Sequence, residues 1–238
     1  MLNNNYNNYP NEKILSLPRI ISIQLYYWIV FLIILPDVLP IILYQLGVSV
    51  KILPLAFQFT DYLISAILVS ILSIPLLKKE KHLELGGFIQ TLIVSISFML
   101  SINVIFSIFM TLLDFPKISN NQQGLNDIIY LNKSLYLLMT VVFAPILEEL
   151  IFRGGIFRTL RRKHNFLFAA CVSAILFGFI HISHSFLTKD YLDLIYLLLY
   201  SGLGFVLAWC YEKNQSIYGC IILHVVYNFI GSSYILYS

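Results

Sequence analysis

Glu148 and Glu149 are the residues of this chain whose position says most about chemistry. They are adjacent in the apolar run LLMTVVFAPILEELIFRGGIF, and Arg153 follows four residues after Glu149. Carboxylates are costly at membrane depth, so two together are typical of a functional site. In an apolar cavity they could serve as a base or as a proton site.

Further polar residues lie in later apolar segments, in the strings FGFIHISH and HVVYN. At about 1.5 Å per residue, counted from the inner end of each segment, Glu148 lies about 15 Å deep, His181 about 22 Å, His224 about 12 Å and Asn228 about 18 Å. These residues therefore fall near mid-membrane and could face a common cavity. His184, one turn beyond His181, is expected to lie at the membrane interface, with a role as an extra metal ligand or a proton carrier as the alternative.

Helical spacing predicts which of these groups share a face. At about 100° per residue, Glu149 and Arg153 lie on one face and can form an ion pair across one turn, whereas Glu148 points about a quarter turn away. One carboxylate is therefore expected to be neutralised and the other to be available. His224 and Asn228 share a face by the same spacing.

The elements that carry these residues are predicted to be transmembrane helices. Hydrophobic residues make up 59% of the 238 residues and charged residues only 11%, which indicates an all-α, polytopic transmembrane bundle. Seven candidate spans cover about 20–46, 55–77, 88–113, 134–157, 166–183, 192–211 and 216–237. The first contains Pro36, Asp37 and Pro40, so it is expected to be a kinked helix or two pieces, giving seven to eight spans. The cavity should lie among the last four.

Pro145 should affect the helix that carries the glutamates. It lacks the N–H that would bond to the carbonyl of Val141, so a bend is expected just before the pair.

The orientation follows from the distribution of positive charge. With a cytoplasmic N-terminus, ten Lys and Arg residues lie inside and four outside, as the positive-inside rule favours. Residues 1–19 are then a polar cytoplasmic N-terminus, followed by a retained anchor in the plasma membrane. The polar loop 114–133 falls outside.

The cysteines and the net charge also bear on the kind of protein that this chain can be. Cys171, Cys210 and Cys220 fall inside predicted spans without CxxC spacing, which favours packing roles. The net charge of +3 fits inner loops that meet anionic lipid, and gives no reason to expect a nucleic acid partner.

The strings EELIFR, FGFIH and HVVYN resemble the EExxxR, FxxxH and HxxxN motifs of the CPBP family of intramembrane proteases, also called the Abi family. The family includes type II CAAX prenyl endopeptidases and proteins linked to bacteriocin processing and self-immunity. The resemblance covers about residues 134–230. The N-terminal transmembrane helices, 20–113, resemble no family that we can name.

The resemblance implies an intramembrane endopeptidase, with roles assigned residue by residue. Glu148 would be the general base, His181 would hold the water, and His224 with Asn228 would supply oxyanion donors. Glu149 and Arg153 would shape the site.

The metal stays open at this point. Glu148, His181 and His224 would form an acceptable zinc set, but the chain has no HExxH, and the family has been described both as metalloproteases and as metal-independent glutamate proteases.

The expected substrate is a short peptide or a membrane-protein segment. Asn and Ile richness is compatible with a bacterial origin, and bacteria generally lack prenylated CAAX proteins. Processing of a bacteriocin leader or signalling peptide, or a role in self-immunity, is therefore favoured over prenyl-protein maturation.

Three alternatives remain. The ion pair could only fix helix packing, and a histidine or asparagine in a membrane helix often bonds a neighbouring helix. The protein could be a non-catalytic bacteriocin-immunity, regulatory or scaffold protein. It could also be a small secondary transporter that uses the Glu pair as a proton site, although no inverted repeat is visible.

Overall fold

A computed structural model describes residues 15–80, 83–115 and 118–237, with side chains up to residue 233. These residues form helices and connecting turns, without a strand among them. The helices are α1 Leu17–Gln45, α2 Leu53–Leu72, α3 Ile74–Lys79, α4 Leu85–Leu112, α5 Asn120–Ile129, α6 Lys133–Arg161, α7 Phe166–Thr188, α8 Tyr196–Asn214 and α9 Ile217–Tyr237. Most of the N-terminus predicted to be cytoplasmic lies outside the described residues.

The predicted membrane bundle is confirmed. Within the described residues, α1, α2, α4, α6, α7 and α8 are long and apolar enough to cross a membrane, α8 being counted from a 3₁₀ turn that begins at Asp193. The apolar part of α9, Ile217–Ser233, is shorter. Together these helices correspond to the seven candidate spans.

The first span is one continuous helix despite its prolines. Its middle, Tyr26–Ile34, is π-helical, and the N–H of Leu35 bonds to the carbonyl of Val30, five residues back. Pro36 then falls in the first turn of the following α-helical part, where a missing N–H costs little. A single helix therefore replaces the two pieces that the sequence also allowed.

The second span ends earlier than its apolar run. Helix α2 stops at Leu72, and after Ser73 the chain enters the short helix α3. The break is consistent with Pro75, which lies in the first turn of α3. Leu76 of α3 is completely buried, so this inner connection packs against the bundle.

Helix α6 lies at the centre of the bundle. It packs against α1, α2, α7 and α9. It is also the most deeply buried of the long helices. The glutamate pair is therefore carried by the helix with the least access to lipid.

Helices α7 and α8 pack most extensively on one another. A side chain at Gly178 would collide with Ser201, and one at Gly204 would press on Ala174 and Phe177. Small residues at these positions let two membrane helices approach closely. The close approach brings the backbone of α8 within reach of groups on α6.

The inner ends of several helices are joined by polar contacts. The carboxylate of Glu80 accepts hydrogen bonds from Arg158 and from the N–H of Ile217, which begins α9. Arg161, at the end of α6, pairs with Glu212 of α8 at 2.9 Å. These contacts place the end of α6, the end of α8 and the start of α9 at the same end of the bundle.

Candidate active site

The glutamate pair ends a short α-helical part of α6 that lies between two π-helical parts. Leu138–Phe143 and Leu150–Phe157 are π-helical, and Ala144–Glu149 between them is α-helical. Such π-helical turns occur frequently at functional sites. The change in helical register determines which groups of α6 face its neighbours.

Pro145 leaves one backbone carbonyl of α6 without a donor from the helix, and Asn228 supplies that donor. The N–H of Ala144 bonds to Met139 O, five residues back. In the same register Thr140 O would need the N–H of residue 145, which proline lacks. The amide nitrogen of Asn228 donates to that carbonyl at 2.9 Å. Asn228 thus joins α9 to α6, and its second amide hydrogen remains available.

Glu149 and Arg153 form the ion pair that the spacing predicts. Arg153 Nη1 lies 3.0 Å from Glu149 Oε1, and both side chains are completely buried. Arg153 Nη2 also donates to the carbonyl of Gly204 at 2.7 Å, and its guanidinium lies 4.7 Å from the centre of the Phe177 ring. The pair therefore joins α6 to both α7 and α8.

His224 is held between the two glutamates. Its Nδ1 lies 2.8 Å from Glu149 Oε1, and its Nε2 lies 3.9 Å from Glu148 Oε2. A carboxylate oxygen can only accept, so Nδ1 carries the proton and Nε2 faces Glu148. Spacing within one helix did not reveal this bond, because it joins α9 to α6.

Glu148 itself is buried, with 5% of its surface exposed. Among the described residues its carboxylate makes no hydrogen bond, and His224 Nε2 is its ionic neighbour. The hydroxyls of Tyr27 on α1 and Tyr62 on α2 lie within electrostatic range of it. Helices that carry none of the three motifs therefore close one side of the site.

His181 is half-buried on α7 and has a fixed ring. Its Nδ1 lies 2.9 Å from the carbonyl of Phe177, so the other nitrogen, Nε2, is left free to accept. The Phe177 ring lies 4.8 Å from the His181 ring and 5.8 Å from the His224 ring. Phe177 thus contacts both histidines, so the structure brings together the polar residues of α6, α7 and α9.

The contacts of His181 include one residue that the sequence did not indicate. The Tyr200 ring of α8 stacks on His181 with centroids 4.4 Å apart. Tyr200 lies outside every motif, and only the packing of α7 on α8 reveals it.

Zinc binding by Glu148, His181 and His224 stays a prediction. Among the residues that the structure describes, no three His, Cys, Asp or Glu side chains are placed to hold a metal ion. The Nδ1 atoms of His224 and His181 are bonded to Glu149 and to a backbone carbonyl. These bonds leave Nε2 as the available nitrogen of each ring.

Helix α2 carries a buried carboxylate that no motif includes. Asp61 is 4% exposed and accepts a hydrogen bond from Ser65 at 3.3 Å. The Ser65 hydroxyl also lies 2.7 Å from the Tyr26 hydroxyl of α1. This buried polar group joins α1 to α2, beside the tyrosines near Glu148.

Comparison with known proteins finds similarities in the C-terminal part of the chain. Residues 130–230 match the family model described as Type II CAAX prenyl endopeptidase Rce1-like. "Putative membrane peptidase YdiL" of Bacillus subtilis (strain 168) is 36% identical over 110 residues, which are 46% of this chain and 41% of that protein. The UPF0177 protein YxdF of Lactococcus lactis is 32% identical over 92 residues, 39% of this chain and 45% of that protein.

The matches cover part of each protein. The chain spans less than half the length of either relative. No solved structure gives a significant match to the chain.

Proposed function

We propose that the protein is an intramembrane endopeptidase in which Glu148 activates the attacking water. The match of residues 130–230 to the Type II CAAX prenyl endopeptidase Rce1-like model and the similarity to a membrane peptidase of Bacillus subtilis support this proposal. The observation that carries the proposal is the position of Glu148. It is buried without a hydrogen bond among the described residues, and the Nε2 atom of His224 lies 3.9 Å from its carboxylate. A carboxylate in that setting is free to take a proton from water.

The reaction uses only groups of this chain and one water molecule. Glu148 takes one proton from the water, while His181 Nε2 accepts a hydrogen bond from the remaining O–H and so orients the oxygen. The hydroxide forms a bond to the peptide carbonyl carbon, giving a tetrahedral intermediate with a negative oxygen. Glu148 then returns its proton to the nitrogen as the C–N bond breaks, which releases a carboxylic acid and an amine.

The developing oxyanion needs hydrogen-bond donors. His224 can donate from Nε2 when its ring carries a proton on both nitrogens, while its Nδ1 remains bonded to the Glu149 carboxylate at 2.8 Å. Asn228 can contribute the amide hydrogen that Thr140 does not use. Glu149 and Arg153 position His224 and do not contact the substrate in this mechanism.

The substrate in this proposal is a short peptide or a membrane-protein segment. Both relatives named above are bacterial proteins, and a bacteriocin leader, a signalling peptide or a self-immunity target suits a bacterial membrane protease. We place the protein in the plasma membrane with a cytoplasmic N-terminus, since positive residues then concentrate inside.

The test is cleavage of a peptide library by the purified protein in detergent. Glu148→Gln removes the base while keeping the shape of the side chain, and should lower the cleavage rate by about 10²-fold or more. Glu84→Gln, at an exposed position, is the matched control and should cleave like the wild type. Equal cleavage by the wild type and Glu148→Gln would refute the proposal.

A chelator provides a second arm of the same assay. The mechanism routes no step through a metal, so chelation should leave the rate unchanged. If the chelator abolishes cleavage and added zinc restores it, the site contains a metal ion. Glu148 would then not be the sole group that activates the water.

One observation favours a second candidate, a non-catalytic immunity or scaffold protein. Arg153, His224 and Asn228 each donate a hydrogen bond to a neighbouring helix, as in a structural polar cluster. Protection against a cognate bacteriocin that survives Glu148→Gln would support this candidate. Loss of protection with normal expression would support the protease.

A further inference from the structure

The His181 ring is fixed by two different kinds of contact. Its Nδ1 donates to the carbonyl of Phe177, one turn earlier in α7. The Tyr200 ring lies against its face, with centroids 4.4 Å apart and planes 21° from parallel. A ring that is bonded at one edge and stacked on one face cannot rotate without losing both contacts. These two contacts direct Nε2 away from the α7 backbone.

Tyr200 is in turn held by a segment outside the membrane helices. Its hydroxyl lies 2.7 Å from Ser119 Oγ, and Asn121 Nδ2 donates to it at 3.5 Å. Ser119 and Asn121 flank the start of α5. The aromatic ring beside His181 is therefore anchored by the polar loop that connects α4 to α6.

The start of α5 is itself well fixed. The N–H of Asn120 donates to Asp193 at 2.9 Å, and its side-chain amide donates to Asp190 at 2.9 Å. Ser185 bonds to the other oxygen of Asp193 at 2.6 Å. Ser119 also caps α5 by accepting from the N–H of Gln122. A continuous set of bonds thus runs from the loop to Tyr200.

We propose that Tyr200 is a positioning residue that holds the His181 imidazole with Nε2 directed at the water, and that Ser119 holds Tyr200 in place. Tyr200 acts through His181 and does not contact the substrate. The consequence for catalysis rests on the proposed function, whereas the effect on the His181 ring does not. The two can therefore be measured separately.

The first measurement is the reactivity of His181 with diethyl pyrocarbonate, followed by mass spectrometry of the full-length protein in detergent. His184, exposed on the same helix, provides the internal reference. Tyr200→Leu removes the stacked ring and should raise the His181 rate relative to His184 by about three- to tenfold. Tyr211→Phe, which deletes a buried hydroxyl of the same helix at the inner end of the bundle, is the matched control and should leave the ratio unchanged.

The second measurement tests the link to the loop. Tyr200→Phe keeps the ring and loses the hydroxyl, so its His181 reactivity should fall between the wild type and Tyr200→Leu. Ser119→Ala should raise the reactivity in the wild-type background and have no further effect in Tyr200→Phe, because the bond between the two hydroxyls is already absent. Additive effects would contradict the link to Ser119.

The third measurement is the kinetic consequence. Tyr200→Leu should lower kcat by about 10- to 100-fold with little change in KM, since a misplaced water affects the chemical step more than binding. Tyr200→Phe should recover most of this loss, and Tyr211→Phe should match the wild type.

The outcomes separate the two claims. If Tyr200→Leu leaves both the His181 reactivity and kcat as in Tyr211→Phe while the wild type cleaves peptides, the positioning role is wrong and the protease stands. If the wild type cleaves nothing but Tyr200→Leu exposes His181, the positioning contact stands and the proposed function fails.

Discussion

Glu149 is the hydrogen-bond acceptor that joins two other polar residues of the site. One of its oxygens accepts from both Arg153 and His224, and it lies completely inside the protein. A buried charge is tolerated only when it is paired and hydrogen-bonded. Glu149 therefore has a structural task, and Glu148 beside it lacks such partners among the described residues.

This difference predicts opposite effects of the same substitution at adjacent positions. Glu149→Gln leaves the buried Arg153 without a counter-charge and should destabilise the protein by about 3 kcal/mol or more. Glu148→Gln removes a buried carboxylate without a hydrogen-bond partner among the described residues, and should leave stability unchanged or raised. Thermal unfolding of both variants in the same detergent measures the difference. Equal midpoints would contradict the assigned division of roles.

Part of this arrangement was predictable from the sequence. The Glu149 pair with Arg153 follows from spacing within one helix, and the structure confirms it. The bond from His224 to Glu149 did not follow, because the rotation of α9 against α6 is set by tertiary packing. The roles of Glu148, His181, His224 and Asn228 in catalysis remain predictions.

At the scale of the element, the π-helical register of α6 is the decisive feature. Sequence reasoning placed the carbonyl freed by Pro145 at Val141, on the assumption of α-helical bonding. In the π-helical register it is the carbonyl of Thr140 that lacks a partner, and Asn228 supplies one. Short-range sequence patterns do not reveal π-helical turns, so this link between α6 and α9 could not be predicted.

The link predicts a specific rescue. Asn228→Ala should destabilise the protein by about 1 to 3 kcal/mol, because Thr140 O is left without a donor. Pro145→Ala supplies an N–H in the same register, so Asn228→Ala should cost clearly less in that background. A double-mutant cycle followed by thermal unfolding measures the coupling. Independent effects of the two substitutions would show that the Thr140 carbonyl does not connect them.

For the whole molecule, composition predicted the number and order of the spans. It did not predict that α1 and α2, which lie outside the matched residues, bring Tyr27 and Tyr62 near Glu148. It also missed helix α5 within the outer loop, because ten largely polar residues give no transmembrane signal. At each end of the bundle, polar contacts join segments that the predicted topology places on the same side of the membrane.

That topology gives a prediction for accessibility. Cysteine introduced at Ser49, in the exposed turn after α1, should react with a membrane-impermeant maleimide in intact cells. Cysteine at Lys163, in the exposed turn after α6, should react only after permeabilisation. The native cysteines Cys171, Cys210 and Cys220 are replaced by alanine in both proteins. The reverse pattern would place the N-terminus outside.

In the proposed mechanism Glu148 activates a water molecule for direct attack on a peptide bond. The most direct measurement is a single turnover in ¹⁸O-labelled water with the protein in excess, followed by mass spectrometry of the new C-terminus and of the peptide that contains Glu148. We expect one ¹⁸O atom in the product carboxylate, none in Glu148, and no product from Glu148→Gln. Label in the Glu148 carboxylate, or the same product from Glu148→Gln, would contradict this mechanism.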